Sequence, residues 1–200
     1  MAATDRERPA RERILDTASR LFFHDGFRAV GVDTIIAESG IAKMTLYRHF
    51  KTKDDLIVAY LEHSNEGFWA WFDSALGNGG PKQQLINLFD DLGSFVTRPE
   101  CLGCMFQLAA AEFPAIDHPA HVVASTHKDQ VMGRLRGLAD QAHLRDPQTL
   151  ASGLLLLMDG AFAAARMFGP SNHAADVGGI ARALIESRSR GKAKPSGTRL

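Results

Sequence analysis

The stretch VDTIIAESGIAKMTLYRHF, Val32 to Phe50, decides the fold. Val32, Ile35 and Ile36 recur at the i, i+3, i+4 spacing of one helix face, with the small Ala37 beside them. Ser39-Gly40-Ile41 breaks that pattern. Glycine reaches the left-handed conformation that closes a helix, and an apolar residue behind it supplies the contact that often accompanies such a cap. A second short helix restarts at Ala42, with Leu46 and Phe50 at i and i+4 facing inward. Lys43, Met44, Thr45, Tyr47, Arg48 and His49 are left on the outward side. A donor-rich face with two permanent cations suits a helix lying in a DNA major groove, where phosphates demand positive charge and base edges demand hydrogen-bond partners. Short amphipathic helix pairs with a Gly turn are also common in all-helical proteins that never meet DNA.

The flanks separate these two readings. Gly26-Phe27 follows a first amphipathic helix, Ile36-Ala37 precedes Gly40-Ile41, the string Thr45 to Phe50 comes next, and Lys53-Asp54-Asp55-Leu56 opens another helix. In that order, over roughly fifty residues, the chain resembles the TetR family of one-component bacterial repressors. It departs from the family at Ala42, where Ser or Thr is usual, and at Gly31, where Thr is usual. Alanine cannot accept a hydrogen bond from the recognition helix amides, which costs about 1 kcal/mol of capping, whereas glycine is a tolerable cap.

The resemblance implies an all-α, TetR-like fold of about nine helices. A three-helix helix-turn-helix DNA-binding domain at residues 9–54 would carry a larger helical effector-binding and dimerisation domain at 55–187. It also implies a homodimer that binds palindromic double-stranded operator DNA and is released by a small-molecule inducer, although activation is an alternative outcome. Lys43, Met44 and Thr45 begin the recognition helix and are the candidates for base edges. Tyr47, His49 and Lys53 match the family's phosphate contacts, and Arg48 either joins them or solvates the helix. No cofactor, metal or enzymatic activity is implied.

Composition agrees with this division. The formal charge is zero, which argues against a protein that coats nucleic acid without preference. Its distribution is uneven: residues 1–53 hold ten Lys/Arg against seven acids, and the remainder thirteen against sixteen. A mildly basic head on a mildly acidic body is expected when one end meets DNA. The N-terminus MAATDRERPARER is charged throughout and cannot form the apolar core of a secretion signal. The run Leu154 to Met158 is too short to span a bilayer. The expectation is a cytoplasmic protein with no membrane partner, in which Cys101 and Cys104 are free thiols.

Taken in order, residues 1–8 read as a disordered arm and Pro9 to His24 as the first helix, with Ile14, Leu15, Ala18, Leu21 and Phe22 on its apolar stripe. Thr52 to Asp55 has the form of a capping box in which Asp replaces Glu, and opens a helix running toward Phe72. Gly77 to Pro81 breaks it. Further helices are expected at Pro81 to Thr97, Met105 to Phe113, Pro119 to Gln141, Pro147 to Phe168 after an Asp146 cap, and His173 to Ser187. The tail 188–200 reads as disordered and basic.

The helix Ser152 to Phe168 is apolar nearly all round and must be buried nearly all round. With the last helix it is expected to form a four-helix dimer interface, using Leu154, Leu157, Met158, Ala161, Ala165, Phe168, Ile180 and Leu184. An effector pocket, suited to a largely apolar small molecule, is expected from Phe68, Phe72, Phe89, Phe95, Cys104, Phe106, Phe113 and Phe162, with Glu112 or His127 as a polar handle.

Other chemistries fit less well. Cys101 and Cys104 form a C-x-x-C followed by His118 and His121, but H-x2-H is not the H-x3–5-H spacing of a zinc finger. A thiol-based redox or electrophile sensor at these cysteines is the alternative regulator. Glu112, Asp117, His118, His121 and His127 stand without a nucleophile motif, and the glycines at 77–80 lack the Lys-Ser/Thr of a phosphate loop. A helical enzyme or protein-interaction module is the distant alternative; the latter would have no use for the outward Thr45, Tyr47, His49 and Lys53.

Overall fold

The computed structural model describes residues 8–189. Most of the expected arm and tail lies outside them. At their inner edges Arg8 pairs with Asp16 at 2.5 Å and Arg188 with Asp146 at 3.2 Å. Nine α-helices run through the described residues: α1 (Ala10–Asp25), α2 (Val32–Ser39), α3 (Lys43–His49), α4 (Lys53–Leu76), α5 (Pro81–Val96), α6 (Met105–Glu112), α7 (Pro119–Gln141), α8 (Pro147–Phe168) and α9 (Val177–Ser187). The chain is all-α, as expected. The helix starts follow local chemistry: Pro81 and Pro147 occupy first turns, and the Asp146 carboxylate accepts the Thr149 amide at the head of α8.

One element differs from expectation. The last α-helix begins at Val177 instead of His173, because His173–Asp176 is a tighter 3-10 turn. Asn172 sets that turn. Its Oδ1 accepts the Ala174 amide, while its Nδ2 donates to the carbonyls of Val96 and Gly169 at 2.8 and 2.7 Å. A buried amide side chain thus satisfies three backbone groups around it.

The helices form two compact units, residues up to Phe72 with Leu102–Gln130, and Asp73–Cys101 with Val131 onward. In the first, α1, α2 and α3 share a core with the start of α4, with α6 and with the start of α7. Ile14, Phe22, Phe27, Ile35, Leu46, Leu56 and Leu61 are fully or almost fully buried there. Phe22, Phe27 and Tyr60 form a ring triangle with centroids 5.3 to 5.9 Å apart, the tilted packing that aromatic quadrupoles favour.

In the second unit α5 packs on α8 and α9. A Cβ on Gly93 would lie 2.6 Å from the Ala175 carbonyl oxygen, so glycine is what allows this approach. The stretch Pro147–Ser171 has the length and mean hydropathy, 1.4, of a membrane span, a profile shared by core helices; 44% of that window is buried. Within α8, Leu154, Met158, Ala161 and Ala165 are buried in the unit's own core, and Leu157 is half-buried. Leu184 of α9 is held in the α8–α9 seam beside Gly153. Of the eight residues expected at a subunit interface, Phe168 and Ile180 are the ones left over half exposed, joined by Leu156 and Met167 at 73% each.

Candidate nucleic-acid interface

Gly40 takes the left-handed conformation (φ 62°, ψ 25°), and its amide donates to the Ile36 carbonyl. Arg13 reaches across from α1 and donates to the Ser39 carbonyl at 2.7 Å. The end of α2 is therefore satisfied by a backbone amide and a cation, as the orphan carbonyls of a helix end require. From this fixed turn α3 departs with Leu46 and Phe50 buried at 1% and 3%. The other side of α3 is open: Lys43, Met44, Tyr47, Arg48 and His49 are exposed and Thr45 is half-buried. Met44, at 81% exposure, is a large apolar side chain with little packing inside the protein.

Ala42 stands at the head of α3 in extended conformation with no side-chain cap. The Thr45 amide turns back to the Ala42 carbonyl at 2.8 Å instead. Lys43 pairs with Asp33 of α2 at 3.3 Å, both well exposed. An exposed pair of this kind contributes at most about 1 kcal/mol and is readily exchanged for a phosphate or a base edge. Asp33 lies ten residues from Lys43, with no i, i+4 signal to announce it.

The capping box is present. Thr52 Oγ1 accepts the Asp55 amide at 3.0 Å and Asp55 Oδ2 accepts the Thr52 amide at 2.9 Å. It sets Lys53 at the first position of α4, half-buried beside the helix-turn-helix of α2 and α3, the reader. Burial pulls the Lys53 ammonium below its ordinary pKa, while the charges of Glu112 and then Asp54 pull it back. A phosphate would act in the same direction as those carboxylates.

Glu112, the last residue of α6, supports this surface from behind. Its carboxylate accepts the backbone amides of Phe27 and Arg28, at 3.2 and 2.6 Å, in the turn between α1 and α2. Gly26 just before that turn has φ 87°, ψ 169°, and any Cβ there would meet Glu112 Oε1 at 2.6 Å. Phe113 extends the contact, 5.9 Å from Phe27 and stacked on His118. Glu112 and Phe113, expected beside an effector, thus sit against the reader. Eighty-four residues separate Glu112 from Arg28, and no local pattern in the sequence marks the pair.

The other effector candidates divide between the units. In the first, Phe68 lies 5.9 Å from Phe72 and 4.6 Å edge-on to His127, and Phe106 stacks face to face on His127 at 3.6 Å. Trp69 approaches the same ring, and Asn65 Oδ1 is 2.7 Å from His127 Nδ1, a neighbour the sequence did not single out. Cys104 is half-buried at the head of α6. In the second unit Phe89 is fully buried and Phe95 lies edge-on to Phe162 at 6.2 Å.

Comparison with known proteins agrees with this geometry. The pattern of the family described as bacterial regulatory proteins, tetR family, matches residues 14–60. Residues of the chain are 42% identical over 53 positions to the HTH-type transcriptional regulator YerO of Bacillus subtilis, covering 26% of this chain and 18% of YerO. They are 29% identical over 117 positions to YxaF of the same organism, covering 57% of this chain but only 61% of YxaF. The crystal structure of SCO4454, a TetR-family transcriptional regulator from Streptomyces coelicolor, superposes with a TM-score of 0.85 at 32% identity, over 90% of this chain and 96% of that one. The chain therefore belongs to the TetR family and is a DNA-binding transcriptional regulator, not an enzyme.

Proposed function

We propose that the protein is a cytoplasmic, ligand-responsive repressor that binds a palindromic operator as a homodimer and leaves it when a small, largely apolar inducer is bound. The observation that carries the DNA half of this reading is the open face of α3, held outward by buried Leu46 and Phe50. Residues 9–54 act as the reader and 55–187 as the effector-binding and dimerisation part. Lys43, Met44 and Thr45 read base edges, while Tyr47, His49 and Lys53 position the helix on phosphates, with Arg48 beside them. Two recognition helices about 34 to 36 Å apart, or a small multiple of a helical turn, would enter successive major grooves on one side of the duplex. An inducer that favours a different spacing by about 1 to 3 kcal/mol lowers operator affinity about 5- to 150-fold.

Selection of bound sites from random DNA tests this directly, and a palindrome should emerge. On that site Lys53→Ala should weaken binding to all sequences and reduce the salt slope by about one unit, whereas Thr45→Ala should change preference between sites. Selection that returns no symmetric sequence, or equal effects of both substitutions on unrelated DNA, would overturn the assignment.

A further inference from the structure

Among the described residues, His127 is the one buried histidine, and aromatic side chains surround its ring. It is 2% exposed, stacked on Phe106 and edge-on to Phe68, with Trp69 at 6.3 Å. Its Nδ1 lies 2.7 Å from Asn65 Oδ1. An amide oxygen only accepts, so Nδ1 carries the proton and donates it. The ring is neutral, since burial, and then the neighbouring charge of Lys128, hold its pKa down to about 3. In a neutral imidazole that donates from Nδ1, Nε2 presents a lone pair. That atom is buried and has no hydrogen-bond partner. An acceptor sealed from water and left unsatisfied is a standing cost of folding, and proteins retain few of them.

We propose that His127 Nε2 is the recognition atom of an effector site walled by Phe68, Trp69 and Phe106, and that its ligand is a planar aromatic molecule carrying one hydroxyl donor, a phenol. The inference rests on the ligand-responsive reading above and names the ligand class that reading lacks. The walls supply ring faces and edges on which a second aromatic ring packs with the offset or edge-on geometry that quadrupoles favour. The lone pair supplies the specificity. A phenolic O–H satisfies it, whereas a carboxylate brings only acceptors and a buried charge, and an ammonium brings a full charge into an apolar wall. Because Nε2 has no solvent-exposed surface, one of the walls must swing aside as the ligand enters. Phe106, the side chain stacked on the imidazole, belongs to the same short helix that carries Glu112.

The test uses a pair of probes on the full-length chain, 2-naphthol and 2-methoxynaphthalene; methylation removes the O–H donor and adds one methyl group to the same ring system. Calorimetric titration should give about tenfold tighter binding of 2-naphthol, the value of one buried hydrogen bond. His127→Phe keeps an aromatic ring in the stack and removes the acceptor, so it should abolish the preference for 2-naphthol. Imidazole ¹⁵N spectra of the wild-type chain give a second reading that needs no variant: the Nε2 signal should shift with 2-naphthol and not with the ether. Equal affinities in the wild type, a preference that survives His127→Phe, an unmoved Nε2 signal, or no binding of either probe at its solubility limit would each overturn the proposal. Any of these with operator binding intact leaves the DNA-binding reading standing. Tight 2-naphthol binding that leaves operator affinity unchanged would support the site and overturn induction by it.

Discussion

Ala42 is the residue at which this chain differs from its family in a way that energetics can judge. Its φ of −63° and ψ of 142° are those of a helix N-cap, and the position lacks only a side-chain oxygen. A helix of seven residues has little stability of its own, so each end group counts. Ala42→Ser should stabilise the protein by about 1 kcal/mol, which for a chain of this size raises Tm by about 2 to 4 °C. Thermal unfolding measures it, and an unchanged or lower Tm would show that the Thr45 amide is already fully served by the Ala42 carbonyl. His127 makes a second prediction, in pH. Its pKa falls from 6.5 in the unfolded chain to about 3 in the folded one. Between those values the unfolded chain holds a proton that the folded one does not, so its contribution is complete above about pH 6.5 and is lost on acidification toward 3. The slope approaches about 1.4 kcal/mol per pH unit. Urea unfolding at pH 7 and pH 5 should show wild type losing more stability than His127→Phe over that interval; parallel losses would mean that the imidazole is solvated in the folded protein.

Helix starts and stops were legible from the chain because they are local chemistry: Gly40 in its left-handed cap, the reciprocal Thr52–Asp55 bonds, the Asp146–Pro147 start. What was not legible is what a helix end touches across the chain. Met105–Glu112 reads as a minor segment between a C-x-x-C and a proline, yet its two ends have distinct jobs. Phe106 lies on His127, and six residues later Glu112 accepts two amides of the α1–α2 turn. One eight-residue helix thus carries both contacts, Phe106 on His127 at its start and Glu112 on the α1–α2 turn at its end. Glu112→Ala should strip the Phe27 and Arg28 amides of their acceptor, costing about 1 to 2 kcal/mol at a partly solvated, charge-assisted site. The reader loses order as a whole, so operator affinity should drop about 5- to 30-fold with the ranking of sites unchanged. Faster hydrogen exchange at those two amides is the matching structural reading. Altered site ranking with unaltered exchange would place Glu112 in base recognition instead.

At the scale of the whole molecule, the excess of apolar surface on α8 was visible in its composition, but its register was not. A helix apolar on nearly every side gives no periodicity from which to tell the face used internally from the face left over. Packing against α5 and α9 resolves it: Leu154, Met158, Ala161 and Ala165 are buried within the unit, while Leu156 and Met167 of α8 and Ile180 of α9 stay open. The proposed dimer should therefore depend on the second set. Leu156→Glu and Ile180→Glu each place a charge where a subunit partner would have to desolvate it. Sedimentation at micromolar concentration should then give a monomer with helical content and Tm close to wild type. Its affinity for the palindrome should fall to that for a single half-site, because the second reader is no longer tethered at high effective concentration. Leu154→Glu provides the contrast, since a carboxylate in a fully buried position should unfold the second unit outright. A folded dimer carrying Leu156→Glu together with Ile180→Glu would mean that this surface is not the one on which two copies meet.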